Sequence, residues 1–149
     1  GQRLREMLRE DGEVPEPMVR AVVQVLAEWD WAVRPVGIVG MPSRRHPMLV
    51  GSLAAAIAEI GRLPLLGTLD LVDGGPAGEP GGNSAFRLAG VWGRLGVGPE
   101  VGRRLDGIPG PVLLVDDLVS SRWSLTVAAR ALRAAGAPAV LPLVLAVDG

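Results

Sequence analysis

Cysteine is absent from the 149 residues, which excludes disulfides, thiolate zinc sites and cysteine nucleophiles and fits a reducing, cytoplasmic setting. Lysine is absent too. All 15 basic residues are arginine, so there is no Schiff-base lysine and no G-x-x-x-x-G-K-S/T phosphate loop, and this segment is not by itself a P-loop ATPase. A single histidine, His46, rules out multi-histidine metal sites and leaves imidazole chemistry one candidate. The apolar stretches reach about ten residues, short of the roughly 20 that a helix needs to cross a bilayer, so a soluble protein without membrane contact is expected. No charged segment followed by an apolar one marks a secretory signal. The formal net charge of −1 argues against the strongly basic face that nucleic-acid binding needs, and leaves only local arginine clusters for that role.

What is present is apolar: 48% of the residues are hydrophobic. A chain of this length is expected to form one domain that buries about two-thirds of the surface its unfolded state exposes. It begins with Gly1-Gln2 rather than Met, as a piece of a longer chain would.

Leu4, Met7 and Leu8 stand at helical spacing in residues 2–10, and Asp11-Gly12 is a turn signal after them. From Pro17, the positions Met18, Val22, Val25, Leu26 and Trp29 share one face and predict an amphipathic helix with proline at its start. Trp29 and Trp31 belong by default to the core, with a dimer seam or a junction to upstream sequence as alternatives. PVGIVGMP, residues 35–42, predicts a buried strand. Leu49, Leu53, Ala56, Ile57 and Ile60 predict a helix closed by Gly61, with Pro64 beyond it. LPLLGTLDLV, residues 63–72, reads as one strand and GGPAGEPGGN, residues 74–83, as a mobile loop. Residues 84–95 read as a helix weakened by Gly90 and Gly93, and residues 96–110 as irregular.

PVLLV, residues 111–115, predicts a second buried strand. Leu125, Ala128, Ala129 and Leu132 predict a helix with Arg130 and Arg133 outward and Gly136 and Pro138 as stops. AVLPLVLAV, residues 139–147, is a last strand in which Pro142 marks an edge or a bulge. Strands alternating with helices imply an open α/β fold: a mainly parallel sheet, right-handed crossovers and helices on both faces. Ligands bind such sheets outside the carboxyl ends of the strands, where residues 41–47 and 116–124 fall. Gly96, Gly98 and Gly102 do not form a dinucleotide fingerprint, because their spacing is wrong and no predicted strand precedes them.

Two adjacent acids, Asp116 and Asp117, follow the PVLLV run. Carboxylates at a buried strand's end are costly unless solvated, paired or used. Helix capping accounts for one of them at most. The turn between a strand and a helix points backbone N–H groups and the positive helix end outward, which suits an anion. Ser120, Ser121 and Ser124 add hydroxyls, and the two acids can accept hydrogen bonds from the vicinal hydroxyls of a sugar. The combination predicts a cradle for a ribose bearing a 5′-phosphate.

VLLVDDLVSSRWSLTVAA resembles the phosphoribosyl diphosphate signature of type I phosphoribosyltransferases: a strand, two acids, two hydrophobics and a hydroxyl-rich turn. The resemblance implies that fold, here with a minimal hood, and puts Asp116 and Asp117 on the ribose hydroxyls with Ser120, Ser121, Arg122, Trp123 and Ser124 around the 5′-phosphate. Arg122 replaces a glycine of the signature, and either adds charge to the site or obstructs it. Trp123 either stacks on a ligand or covers the helix start. VGMPSRRHP stands where this family has its pyrophosphate loop, so Ser43, Arg44 and Arg45 would hold a diphosphate. The alternative is a solvated basic loop with His46 held extended by Pro47. GGNSAFRLAGVW is similar in place to the flexible loop that closes over substrate, with Asn83, Ser84 and Arg87 as its candidates. Helix capping and a surface arginine are the alternative there.

Residues 34–71, 83–88 and 110–146 together are similar to the C-terminal phosphoribosyltransferase-like domain of RecQ-type DNA helicases of high-GC bacteria. This implies an N-terminal helical segment at 1–33, the phosphoribosyltransferase-like domain at 34–149, and an upstream ATP-dependent motor working in DNA recombination and repair. DNA would then be met chiefly through the parent chain. The module itself would bind a phosphorylated ribose, a nucleotide or a partner without transferring a base, and no catalytic residue is assigned. No metal is expected in the protein alone; Mg²⁺ would arrive with phosphoribosyl diphosphate, near Asp116 and Asp117. Two alternatives remain open: a working phosphoribosyltransferase, and a DNA-docking or protein-docking module similar to ComF proteins. A homodimer is compatible with either.

Overall fold

The computed structural model describes residues 11–43, 46–71, 95–119 and 122–147. In chain order its elements are α1 (Glu16–Glu28), β1 (Gly37–Gly40), α2 (Pro47–Gly61), β2 (Leu65–Thr68), β3 (Asp70–Leu71), β4 (Leu95–Gly96), α3 (Pro99–Leu105), β5 (Val112–Val119), α4 (Arg122–Ala134) and β6 (Val140–Val147). The main sheet has four strands in the order β2-β1-β5-β6, every neighbouring pair parallel. β3 and β4 pair separately and antiparallel.

The unbroken apolar run Val112–Val115 is buried because both faces of its strand are covered. Alternation along β5 sends Val112 and Leu114 to one face with Val39 of β1, where Val101 and Leu105 of α3 and Val127, Ala128 and Leu132 of α4 pack on them. Leu113 and Val115 go to the other face with Ile38, against Leu53, Ala54 and Ile57 of α2, with Val22 and Leu26 of α1 packed outside. Helices therefore lie on both faces, as the strand and helix alternation predicts. Among the described residues no helix is long and apolar enough to cross a membrane.

Several elements depart from the sequence expectations. Trp29 is 59% exposed and not in the core. Trp31 is half-buried, donates its indole Nε1–H to the Leu26 carbonyl at 2.9 Å, and lies 6.1 Å from Trp29 between ring centroids. α2 is closed by Arg62 in the left-handed region (φ 55°), not by Gly61, with the Leu63 N–H returning to the Ala58 carbonyl at 2.9 Å. At its other end Asp11 accepts hydrogen bonds from the Met48 and Leu49 N–H groups at 3.2 and 3.1 Å, capping the helix from 37 residues away in the chain.

The single strand expected over 63–72 is broken into β2 and β3. The β1–β2 register pairs Ile38 with Leu65 but Val39 with Gly67, so Leu66 is an extra residue, and the chain then bends at Leu69, whose N–H bonds to the Gly40 carbonyl. Gly67 has φ +138°, and a Cβ there would stand 2.7 Å from Val101 Cγ2. Gly67→Ala is expected to cost about 2 kcal/mol in urea unfolding, from backbone strain and the collision with α3. Unchanged stability would show that β2 relaxes freely at this bulge.

Residues 96–110 are not irregular, because they contain α3. Pro99 in its first turn, Glu100 beside it, Arg103 and Arg104 in its last turn, and Val101 and Leu105 one turn apart are all helix signals obscured by the surrounding glycines. Arg104 donates to the Leu65 and Leu66 carbonyls of β2, at 3.0 and 3.3 Å. Leu95, expected at a helix end, lies in β4. β5 does not stop at Val115 but continues to Val119, because β6 stays paired beside it through Asp116↔Val144 and Val119↔Val147. α1 and α4 fall where periodicity predicts, Arg130 and Arg133 are exposed, and Pro142 sits in the edge strand β6. The expected helix at 2–10, the loop at 74–83 and most of the helix at 84–95 lie outside the described residues.

Candidate functional site

From β1 the chain crosses through α2 to β2 on one side of the sheet, and from β5 it crosses through α4 to β6 on the other. The connections diverge between β1 and β5, which opens a crevice at the carboxyl ends of these two strands. Asp116 and Asp117 lie in the carboxyl half of β5, at 7% and 5% exposure. The segment after β1 crosses toward them, anchored by the Met41 N–H on the Val115 carbonyl at 2.8 Å.

Asp117 Oδ2 is the focus of a small polar cluster. Ser43 Oγ donates to it at 3.1 Å, and His46 Nδ1 stands 2.5 Å from the same oxygen. The His46 backbone N–H donates to Ser43 Oγ at 2.9 Å, and the Asp117 N–H donates to Asp116 Oδ1 at 2.8 Å. Pro47 explains why the histidine is there. It opens α2 and holds the preceding residue out of helical geometry, and His46, with φ −134°, turns its ring toward β5 without capping its own helix. His46 is 3% exposed, while Arg44 and Arg45, the basic residues of the solvated-loop alternative, lie outside the described residues.

Burial is the main force on Asp116. It disfavours the charged carboxylate, a hydrogen bond with the Asp117 side chain and that residue's like charge push the same way, and the bond from the Asp117 N–H opposes them; the net result raises the Asp116 pKa from 3.8 to about 7. At neutral pH the Asp116 carboxyl is therefore about half protonated. Among the described residues no group of three or more His, Asp or Glu is arranged to hold a metal ion.

Of the residues singled out in the sequence, Ser43, Asp116 and Asp117 are brought into direct contact. Ser124 is half-buried in the first turn of α4, and Arg122 and Trp123 open that helix, their side chains outside the described part. Arg44, Arg45, Asn83, Ser84, Arg87, Ser120 and Ser121 also lie outside the described residues. The sequence reading missed His46 as the partner of Asp117. Its available signal was position: the chain's sole histidine, just before a helix-opening proline and shortly after a buried strand. An apolar groove of about 340 Å³, lined by Leu26, Trp31, Ile57, Ile60 and Leu63 among others, opens at the amino ends of the strands, away from the acids.

No family model and no curated protein matches the chain. Solved structures do. A glutamine phosphoribosylpyrophosphate amidotransferase from B. subtilis, complexed with ADP and GMP, matches 85% of this chain over 26% of its own at 24% identity and a TM-score of 0.50. A structure described as the allosteric regulatory enzyme of purine biosynthesis matches 85% over 25% of its own chain at 23% identity and 0.54. The purine phosphoribosyltransferase from Pyrococcus horikoshii matches 92% over 78% of its own chain at 16% identity and 0.52. The fold is that of the type I phosphoribosyltransferases. This chain spans about a quarter of the first two proteins, so it corresponds to a phosphoribosyltransferase-like domain within them. At these identities the likeness is one of fold alone. In the phosphoribosyltransferase fold of this chain, the acid pair and the segment after β1 meet at the switch point of the sheet.

Proposed function

We propose that this domain binds a phosphorylated ribose at the Asp116–Asp117 crevice without transferring a base, as an accessory module of a RecQ-type ATP-dependent DNA helicase. The position of the two buried acids, at the one place in the sheet where the connections diverge, supports the binding. The helicase setting rests on the sequence similarity of residues 34–71, 83–88 and 110–146.

The carboxyl groups would accept hydrogen bonds from ribose hydroxyls, and the positive end of α4 would face the 5′-phosphate. A Mg²⁺ ion brought in with a diphosphate would neutralise part of that group's charge, near Asp116 and Asp117. Two features support the absence of base transfer. Arg122 stands where the signature has a glycine that lets backbone close around phosphate, and Asp117 already serves His46 and Ser43.

Calorimetric titration with phosphoribosyl diphosphate and Mg²⁺ tests the reading. Saturable binding is expected, lost in Asp116→Asn/Asp117→Asn, with no pyrophosphate released across a panel of nucleobases. No heat at millimolar ligand would overturn the binding, and steady pyrophosphate release would make the domain a transferase.

A further inference from the structure

We infer that the two acids have divided roles: Asp116 is the carboxyl group that reads a ribose hydroxyl, while Asp117 is an internal anchor, held by His46 and Ser43, that positions Asp116 and the segment after β1. This rests on the proposed ribose-phosphate binding and deepens it.

Three observations carry the division. Alternation along β5 puts residues 112 and 114 on the α4 face and residues 113 and 115 on the α2 face, so the backbone directs position 116 toward α4 and position 117 toward α2. Asp117 is bonded across the crevice to another element, through Ser43 Oγ and the His46 ring on one oxygen. Among the described residues, the Asp116 carboxyl bonds to Asp117, its chain neighbour, through the backbone N–H and the side chain, and to no other element. A ligand arriving between β1 and β5 can take Asp116 as a partner without opening the contact between the two strands' segments. To take Asp117 Oδ2, it would have to displace a buried histidine and a serine hydroxyl. His46 is thus a positioning residue, acting on ligand through Asp117.

The distinction is one of specificity. A residue that reads a hydroxyl sets the preference for ribose over deoxyribose, whereas an anchor changes affinity for both alike. Calorimetry with ribose 5-phosphate and 2-deoxyribose 5-phosphate on the wild type, Asp116→Asn, Asp117→Asn, His46→Ala and His46→Gln separates them. The wild type is expected to prefer the ribose ligand by about tenfold, the size of one hydrogen bond to an ionisable group. Asp116→Asn should bring that ratio to about one. Asp117→Asn and His46→Ala should weaken both ligands by a similar factor of about ten and keep the ratio, with His46→Gln, which still offers a donor to Asp117, restoring most of the loss.

If Asp117→Asn fails to fold, the two His46 variants carry the test, with thermal melts confirming that they are folded. A ratio abolished by the His46 or Asp117 variants, or kept by Asp116→Asn, overturns the division; so does tighter binding in His46→Ala, which would make the histidine a competitor of ligand. Equal binding of both sugars by the wild type overturns this inference alone. Binding of neither sugar overturns the underlying reading with it.

Discussion

Asp116→Asn is expected to stabilise the fold, by an amount that grows as pH rises. The folded-state pKa of Asp116 is about 7, against 3.8 for a free side chain. Between these values the unfolded chain gives up its proton while the folded one keeps it, so the unfolded state binds fewer protons and stability falls with pH. The loss begins near pH 4 and levels off above pH 7, where both states are ionised. Three pH units at about 1.4 kcal/mol each set its full size at about 4 kcal/mol. Asparagine has no proton to lose, and its carbonyl can still accept the Asp117 N–H. Urea unfolding of wild type and variant at pH 4, 6 and 8 should therefore give a stability difference that moves in the variant's favour by about 4 kcal/mol across the range. Parallel pH profiles would mean that Asp116 is solvated and ordinary. A difference of that size would support the proposed ligand-binding role of Asp116 over a purely structural one.

The His46–Asp117 contact should show the opposite behaviour, strong dependence on both partners being present. Replacing His46 by leucine removes the ring donor from a carboxyl oxygen in a site where both side chains are nearly inaccessible to water. The group left behind cannot recover the bond from solvent, and the expected loss at pH 7 is about 3 kcal/mol. His46→Leu/Asp117→Leu removes the stranded group as well, and should recover most of that loss, since two apolar side chains of similar bulk suit the buried position. A double-mutant cycle reads the coupling directly, and about 2 kcal/mol is expected for groups in contact. Additive single effects would show that the two residues contribute independently.

The parts of this fold that were legible in the sequence are those determined by their own neighbours. α1, α2 and α4 follow apolar spacing at 3.6 residues, and β1 and the start of β5 follow short β-branched runs between prolines or glycines. The misreadings concern residues whose state is decided elsewhere in the chain. β5 runs on through two aspartates because β6 offers it a continuous ladder, a fact that no local pattern around Asp116 contains. The strand over 63–72 bends where the Gly40 carbonyl captures the Leu69 N–H, and α2 is capped by an aspartate that reads locally as part of a turn. The acids themselves stood out because charge next to a buried run has few explanations. Their histidine partner did not, since it is 71 positions away and only the β1–β5 pairing brings the two segments together.

Among the described residues, both rims of the main sheet have interrupted ladders. On one rim Arg104 occupies the Leu65 and Leu66 carbonyls of β2; on the other, Pro142 sits within β6 and offers no N–H to an approaching chain. Strand addition, the commonest way for one sheet to recruit another and the first step of cross-β growth, finds an incomplete ladder at either side. Among the described residues, then, the two rims of the main sheet are the places least suited to pairing with another chain, and its helical faces are the alternative.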